Sequence, residues 1–129
     1  MAEYKSISND FEVSVFPQYI PEQSSPEQSY YFFTYKIKLV NQGTKTAQLM
    51  TRHWIIVDGQ RRVQEVKGDG VVGQQPILKP GESFEYSSFC PLPTPTGNMR
   101  GSFQMEEESG DSFDIEVPVF FLRDLKHDQ

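Results

Sequence analysis

Apolar and polar residues alternate along much of this chain, and the alternation is clearest from Ser29 to Val40. From position 31 to position 39, one set of alternate positions holds only large apolar or aromatic residues: Tyr31, Phe33, Tyr35, Ile37 and Leu39. The positions between them include Thr34, Lys36 and Lys38. A period of two residues is typical of a β-strand with one buried face. We therefore predict a strand here and expect its aromatic face to belong to the core.

The same period recurs in shorter segments that turn-forming residues separate. The further predicted strands are Phe11–Phe16, Thr46–Val57, Arg62–Lys67, Ser83–Cys90, Met99–Met105 and Phe113–Phe121. Pro80-Gly81 predicts a type II turn, and Pro118 places the last strand at a sheet edge or a bulge. No segment has the 3.6-residue period of a helix. The pattern predicts an all-β fold, an immunoglobulin/fibronectin-III-like β-sandwich of about seven strands, with a β-barrel as the alternative.

The segments Thr46–Val57 and Arg62–Lys67 predict a hairpin around Asp58-Gly59, with a loop of two residues or of four. Either length puts Val63 on the face of Trp54 and Ile56. The other face then holds His53, Ile55, Val57 and Val66. Both faces are mixed, so the pattern leaves open which of them is core.

The length of 129 residues suits one domain, and we predict a single domain over residues 1–129 with loose termini at 1–8 and 124–129. Cys90 is the only cysteine, so an intrachain disulfide is excluded. No apolar run reaches the length of a membrane span, and Met1–Asp10 lacks the regions of a signal peptide. We expect a cytoplasmic protein with no membrane partner.

Gly68, Gly70 and Gly73 form a G-x-G-x-x-G motif, which in dinucleotide-binding proteins precedes a helix. Pro76 follows three residues after the last glycine and leaves no room for such a helix. The motif therefore does not predict a Rossmann site. Glycines that supply positive φ angles in a tight loop are the main interpretation, and a nest of backbone amides that binds an anion is the alternative.

A basic-aromatic patch is predicted on the hairpin, formed by Arg52, His53, Trp54 and Lys67. Such a patch suits an anionic partner, whereas cross-strand pairing with Glu65 is the simpler interpretation. The formal net charge of −6 disfavours nucleic acid as that partner.

The sequence shows no assembled catalytic set, and Cys90 is expected to be a buried small apolar residue. An acidic cluster surrounds one predicted turn and consists of Glu106, Glu107, Glu108, Asp111 and Asp114. Because neighbouring strand residues point to opposite faces, these carboxylates predict a solvated loop tip and not a metal site. We expect no enzymatic activity, no metal and no cofactor.

Several longer motifs resemble the bacterial ApaG family. They are Arg52-His53-Trp54-Ile55-Ile56, Gly68-Asp69-Gly70-Val71-Val72-Gly73-Gln74-Gln75-Pro76, Leu78-Lys79-Pro80-Gly81-Glu82, Thr94-Pro95-Thr96-Gly97-Asn98-Met99-Arg100-Gly101 and Val117-Pro118-Val119-Phe120-Phe121-Leu122. The resemblance implies a fibronectin-III-like sandwich and an association with cobalt tolerance and magnesium efflux. Domains related to this family in an F-box protein and in a DNA polymerase delta-interacting protein imply protein–protein interaction.

These observations predict a non-enzymatic binding module that engages a protein partner through an exposed sheet edge or an apolar-rimmed face. The alternative is a sensor of a small anion or a pyrophosphate ligand at the Gly68–Gly73 loop. The identity of the partner and the question of homo-oligomers stay open at this point.

Overall fold

A computed structural model describes residues 3–124, and nearly all of them belong to strands or to the turns between strands. The strands are β1 (Tyr4–Ser8), β2 (Phe11–Tyr19), β3 (Tyr31–Asn41), β4 (Ala47–Asp58), β5 (Val63–Asp69), β6 (Ile77–Leu78), β7 (Ser83–Leu92), β8 (Thr96–Glu107) and β9 (Ser112–Arg123). Two short 3-10 helices, Pro21–Gln23 and Pro26–Gln28, lie between β2 and β3. No helix within the described range has the length and apolar character needed to cross a membrane.

The strands form two antiparallel sheets, one in the order β1-β2-β3-β7 and the other in the order β5-β4-β8-β9, with β6 paired to β4. The prediction of an all-β sandwich is confirmed. The prediction that residues 1–8 are loose is wrong for residues 4–8, because β1 pairs with β2 from Tyr4↔Val15 to Ser8↔Phe11. Asp124 is buried, and its amide donates to the Pro95 carbonyl. Residues 125–129 lie outside the described residues.

The core lies between the sheets, and the predicted face of β3 is part of it. Phe33, Ile37 and Leu39 have no exposed surface, and the exposure of Tyr31 and Tyr35 is 7% and 5%. Trp54 of the other sheet meets Tyr35 with ring centroids 5.7 Å apart. Burial of such large apolar side chains is the main stabilising term for a domain of this size.

The β4–β5 hairpin differs from its prediction by one residue in register. Val57 pairs with Val63, and Trp54 pairs with Val66. Three residues, Gly59–Arg61, therefore separate Asp58 from Arg62, and Arg61 takes a left-handed conformation with φ 64°. Because a shift of one residue exchanges the two faces of a strand, the predicted sets are wrong for β5. Val66 shares the inner face with Trp54, and Val63 is on the outer face, where it is 66% exposed.

Irregularities redirect two more strands. The register between β4 and β8 shifts between Leu49 and Thr51, which places Arg52 and Trp54 on the same side as the buried Leu49. The register between β8 and β9 shifts opposite Pro118, as that proline predicted. The type II turn is also confirmed, since Gly81 has φ 84° and the Glu82 amide donates to the Lys79 carbonyl.

The two long sides of the sandwich differ. On one side, hydrogen bonds join β1 and the following turn to β9: Ser6 Oγ donates to the Glu116 carbonyl at 2.9 Å, and the Asn9 amide group donates to the Asp114 carbonyl at 2.6 Å. On the other side the end strands are β5 and β7. A cavity of about 290 Å³ lies between the sheets there.

Candidate functional site

The glycine motif forms a tight turn and no helix follows it. Val71 and Gln74 form an isolated bridge around Val72 and Gly73, which have φ angles of 49° and 78°. Two central residues with positive φ are the signature of a type I′ turn. The next regular element is β6, which agrees with the rejection of a Rossmann site.

Most of the polar backbone groups of this loop already have partners. The Gly70 amide donates to the Met50 carbonyl at 2.9 Å. The amides of Val71 and Gln74 donate to each other's carbonyls at 2.8 and 3.0 Å. An anion nest needs amides that point at the ligand, and these three are occupied. The geometry therefore favours the conformational role of the glycines over the anion-binding role.

The four residues of the basic-aromatic patch do not lie on one surface. His53 and Lys67 are paired neighbours on the outer face, whereas Arg52 and Trp54 lie on the inner side of β4. His53 Nε2 is 2.6 Å from Glu65 Oε2, so the pairing with Glu65 is present. The hydrogen bond with His53, together with the charge of Lys67, lowers the pKa of Glu65. The outer part of the patch is thus a neutralised cross-strand group.

The inner part of the patch borders the cavity between β5 and β7. Its apolar lining consists of Trp54, Ile56, Val66, Val71, Val72 and Met99, and its polar lining is formed by Tyr35, Arg52, Tyr86 and Ser88, with Phe89 and Cys90 alongside. Arg52 is the only charged side chain in this lining. Val72 is 61% exposed, which places apolar surface at the rim, whereas the side chain of Phe89 lies on the outer face of its sheet.

Tyr86 is the residue of this cavity that sequence analysis missed. Its hydroxyl oxygen is buried and has no hydrogen-bond partner. Among the buried side-chain nitrogen and oxygen atoms of the described residues, it is the only one without a partner. Burial raises the pKa of Tyr86 well above its usual value, so the phenol stays protonated and able to donate. The neighbouring Tyr35 hydroxyl differs because it is hydrogen-bonded to Ser88. The predicted strand Ser83–Cys90 includes Tyr86, but no motif in the sequence marks this residue as part of a site.

Arg52 connects the glycine loop to the cavity. Its Nη1 atom donates to the carbonyls of Asp69 and Gly70 at 2.9 and 3.0 Å. The guanidinium lies so close to Gly68 that a Cβ atom there would be 2.8 Å from Nη1. Among residues 3–124, no carboxylate forms an ion pair with Arg52. Two backbone carbonyls, those of Asp69 and Gly70, are the hydrogen-bond partners of this guanidinium.

The remaining candidates show ordinary structural roles. Cys90 is free and 5% exposed, and burial raises the pKa of its thiol to about 11, which makes it a poor nucleophile at neutral pH. In the acidic hairpin, Lys45 Nζ lies 3.5 Å from Glu107 Oε1. No group of three or more His, Cys, Asp or Glu side chains in the described part of the chain is placed to hold a metal ion.

The chain is similar to proteins of one family over most of its length. The ApaG domain matches residues 21–107. Protein ApaG of Paramagnetospirillum magneticum is 49% identical over 126 residues, which cover 98% of this chain and 96% of the relative. Protein ApaG of Bordetella pertussis is 55% identical over 113 residues, which cover 88% of this chain and 86% of the relative.

Solved structures give the same result. The crystal structure of the ApaA protein from Bordetella pertussis superposes with a TM-score of 0.86 at 54% identity, covering 88% of this chain and 93% of that chain. The C-terminal domain of Wzt shares the fold at 10% identity, with a TM-score of 0.57 over 94% of this chain and 77% of that chain. By sequence and by structure, the chain belongs to the ApaG family.

Proposed function

We propose that this domain is a non-enzymatic binding module that engages a protein partner through the free edge of β7. The observation that carries the proposal is the difference between β7 and the other end strands. β1 and β9 are joined by hydrogen bonds. β5 carries charged residues at Glu65, Lys67 and Asp69, and charge on an edge strand discourages pairing with another chain.

β7 lacks that protection. It is ten residues long, and Glu85 is its only charged residue. A long edge strand with a single charged residue is a template for an added strand from another protein, which contributes main-chain hydrogen bonds. Pro91 is the only residue of β7 without an amide hydrogen.

The register identifies which β7 amides face the free edge. The Asn41 amide donates to the Glu82 carbonyl, and Phe32 pairs with Pro91, which has no amide hydrogen to donate. Because bonded and non-bonded pairs alternate in an antiparallel ladder, the amides of Ser83, Glu85, Ser87 and Phe89 point away from β3. A partner strand would pair with these groups.

Aromatic side chains lie beside this edge on the outer face of the sheet. Phe89 stacks on Phe32 with ring centroids 5.5 Å apart, and Tyr30 lies 6.4 Å from Phe32. Exposed aromatic residues of this kind are enriched at protein interfaces. The proposed partner therefore contributes an extended segment with apolar side chains on one face.

The first test locates the contact by photo-crosslinking in bacterial cells. A photoreactive amino acid replaces Phe89 in one variant and Val63 of β5 in a matched control, since the two side chains are 61% and 66% exposed. We expect one specific crosslinked protein from position 89 and none from position 63. Equal crosslinking at both positions would argue against docking at β7.

The crosslinked partner, once purified, allows a quantitative test. Ser87→Pro removes one edge amide, and we expect it to weaken binding by about tenfold or more, because one hydrogen bond is lost and the ring obstructs the approach of a strand. Lys67→Pro makes the corresponding change on β5. The Asp58 amide donates to the Arg62 carbonyl, and the Gly70 amide donates to the Met50 carbonyl. Because bonded and non-bonded pairs alternate, the Lys67 amide points to the free edge. Unchanged binding by Ser87→Pro, measured by calorimetry, would contradict the proposal.

The proposal includes a cytoplasmic location and, through the family resemblance, a role in cobalt tolerance and magnesium efflux that a protein partner would carry out. A sensor of pyrophosphate ligands at Gly68–Gly73 has less support, because the amides of Gly70, Val71 and Gln74 are engaged within the protein.

A further inference from the structure

The cavity between β5 and β7 is lined by a buried hydroxyl without a hydrogen-bond partner and by an arginine without an ion-pair partner. The buried Tyr86 hydroxyl has no partner, and Arg52 has no carboxylate partner within the described residues. Leaving a buried donor unpaired costs about 1–3 kcal/mol, so native structures rarely do so without a reason. Both groups line the same cavity.

The rest of the lining determines what kind of ligand would suit these groups. Trp54, Val66 and Met99 provide an apolar wall, and no acidic side chain lines the cavity. The volume of about 290 Å³ is close to the lower end of the usual range for small-molecule sites, about 300–1,000 Å³. An apolar body with one negative charge matches this arrangement.

We propose that the cavity binds a small carboxylate with an apolar body, whose carboxylate oxygens accept hydrogen bonds from Tyr86 Oη and the Arg52 guanidinium. Nη1 of Arg52 already holds the carbonyls of Asp69 and Gly70, which fixes the side chain beside the cavity. The remaining nitrogen atoms of the guanidinium are the donors for the ligand. Charge-assisted bonds to a carboxylate are among the stronger hydrogen bonds in proteins.

Electrostatics within the cavity agree with this assignment. Burial, and after it Tyr35, raises the pKa of Tyr86, whereas the positive charge of Arg52 lowers it. A phenol that remains protonated donates to a carboxylate but does not compete with it for the arginine. The exposed side chain of Val72 borders the cavity where it opens to solvent on the β5–β7 side.

Trp54 provides a direct readout, because it lines the cavity and is the only tryptophan in the chain. The probes are octanoate and 3-phenylpropionate, with 3-phenylpropionamide as the uncharged analogue of the same shape. We expect a saturable change in Trp54 fluorescence with the two carboxylates, with a Kd below about 1 mM, and binding of the amide at least about tenfold weaker.

Two variants assign the site. Tyr86→Phe should weaken binding of 3-phenylpropionate at least about tenfold without lowering Tm, because the hydroxyl has no partner within the protein. His53→Ala is the matched control, because it alters the outer part of the basic-aromatic patch and should leave binding unchanged. The peptide Gly-Gly-Phe, with a free terminal carboxylate, tests whether the same chemistry on a chain end enters the cavity.

The inference is overturned by any of four results. The first is no saturable change in Trp54 fluorescence below about 10 mM carboxylate, and the second is equal affinity for 3-phenylpropionamide and 3-phenylpropionate. The third is equal affinity of Tyr86→Phe and the unchanged protein for 3-phenylpropionate, and the fourth is loss of binding in His53→Ala. Equal binding by Tyr86→Phe would mean that an ordered water is the only partner of the hydroxyl. Binding of Gly-Gly-Phe without binding of 3-phenylpropionate would replace the small molecule with a chain terminus. The inference does not rest on docking at the β7 edge.

Discussion

At the scale of single residues, the glycine loop combines two different steric demands. Gly70 and Gly73 both have positive φ, at 65° and 78°. A Cβ atom at Gly70 would collide with the carbonyl oxygen of Gln74, whereas a Cβ atom at Gly73 would meet open space. The first glycine is therefore required by conformation and by contact, and the second by conformation alone.

We predict that Gly70→Ala destabilises the domain more than Gly73→Ala. Alanine at positive φ costs about 1 kcal/mol, which is the expected loss for Gly73→Ala. The collision with the Gln74 carbonyl should raise the loss for Gly70→Ala to about 2 kcal/mol or more. Urea unfolding of the two variants measures the difference. Equal losses would mean that the loop shifts to accommodate the methyl group.

Residue types alone predicted the contact of His53 but not the inward position of Arg52. The contact of His53 with Glu65 followed from complementary polar side chains on neighbouring strands. The inward position of Arg52 did not follow, because it depends on the irregularity at Met50, which moves β4 residues from one face to the other. Nothing in the local sequence distinguishes this bulge from continuous alternation.

At the scale of elements, long alternating strands were predictable and loop lengths were not. β3 has five large apolar residues on one face, so a shift of its register by one residue would expose them. β5 has only Val63 and Val66 to set its face, and its register depends on the loop. Asp58 holds that loop by accepting bonds from the amides of Gln60 and Arg62 at 2.8 and 3.1 Å. β1 was missed because Tyr4 and Ile7 form too weak an apolar pattern.

The alternation of bonds along β7 predicts opposite outcomes for proline at two neighbouring serines. Ser87→Pro removes an amide at the free edge and should cost about 1 kcal/mol or less, whereas Ser88→Pro removes a bond to β3 and should cost about 3 kcal/mol. Thermal unfolding compares the two variants. Ser88→Ala corrects for loss of the hydrogen bond between Ser88 and Tyr35. A larger loss for Ser87→Pro would reverse the assignment of the edge amides.

At the scale of the whole molecule, the two sides of the sandwich differ in how their end strands are joined. The side where β9 meets β1 and the neighbouring turn is closed by bonds of Ser6, Ser8 and Asn9 to β9. The side between β5 and β7 contains the cavity and the edge of β7, a strand whose only charged residue is Glu85. The cavity was not predictable, because Tyr35, Arg52, Val66 and Tyr86 come from four strands that only the complete sheet order brings together.

Both sheets share one core, and this leads to a prediction for the molecule as a whole. Phe33→Ala should lower the free energy of unfolding by about 3–5 kcal/mol, because the buried ring leaves a cavity between the sheets. Thr34→Ala is the matched control on the outer face and should change the free energy of unfolding by less than about 1 kcal/mol.

Far-UV circular dichroism reports on all strands, and Trp54 fluorescence reports on the sheet opposite Phe33. We expect the two signals to give the same midpoint in both variants, because a single domain of this size unfolds cooperatively. Separate midpoints would show that the sheets unfold independently, and a loss below about 1 kcal/mol for Phe33→Ala would show that the face of β3 does not anchor the core.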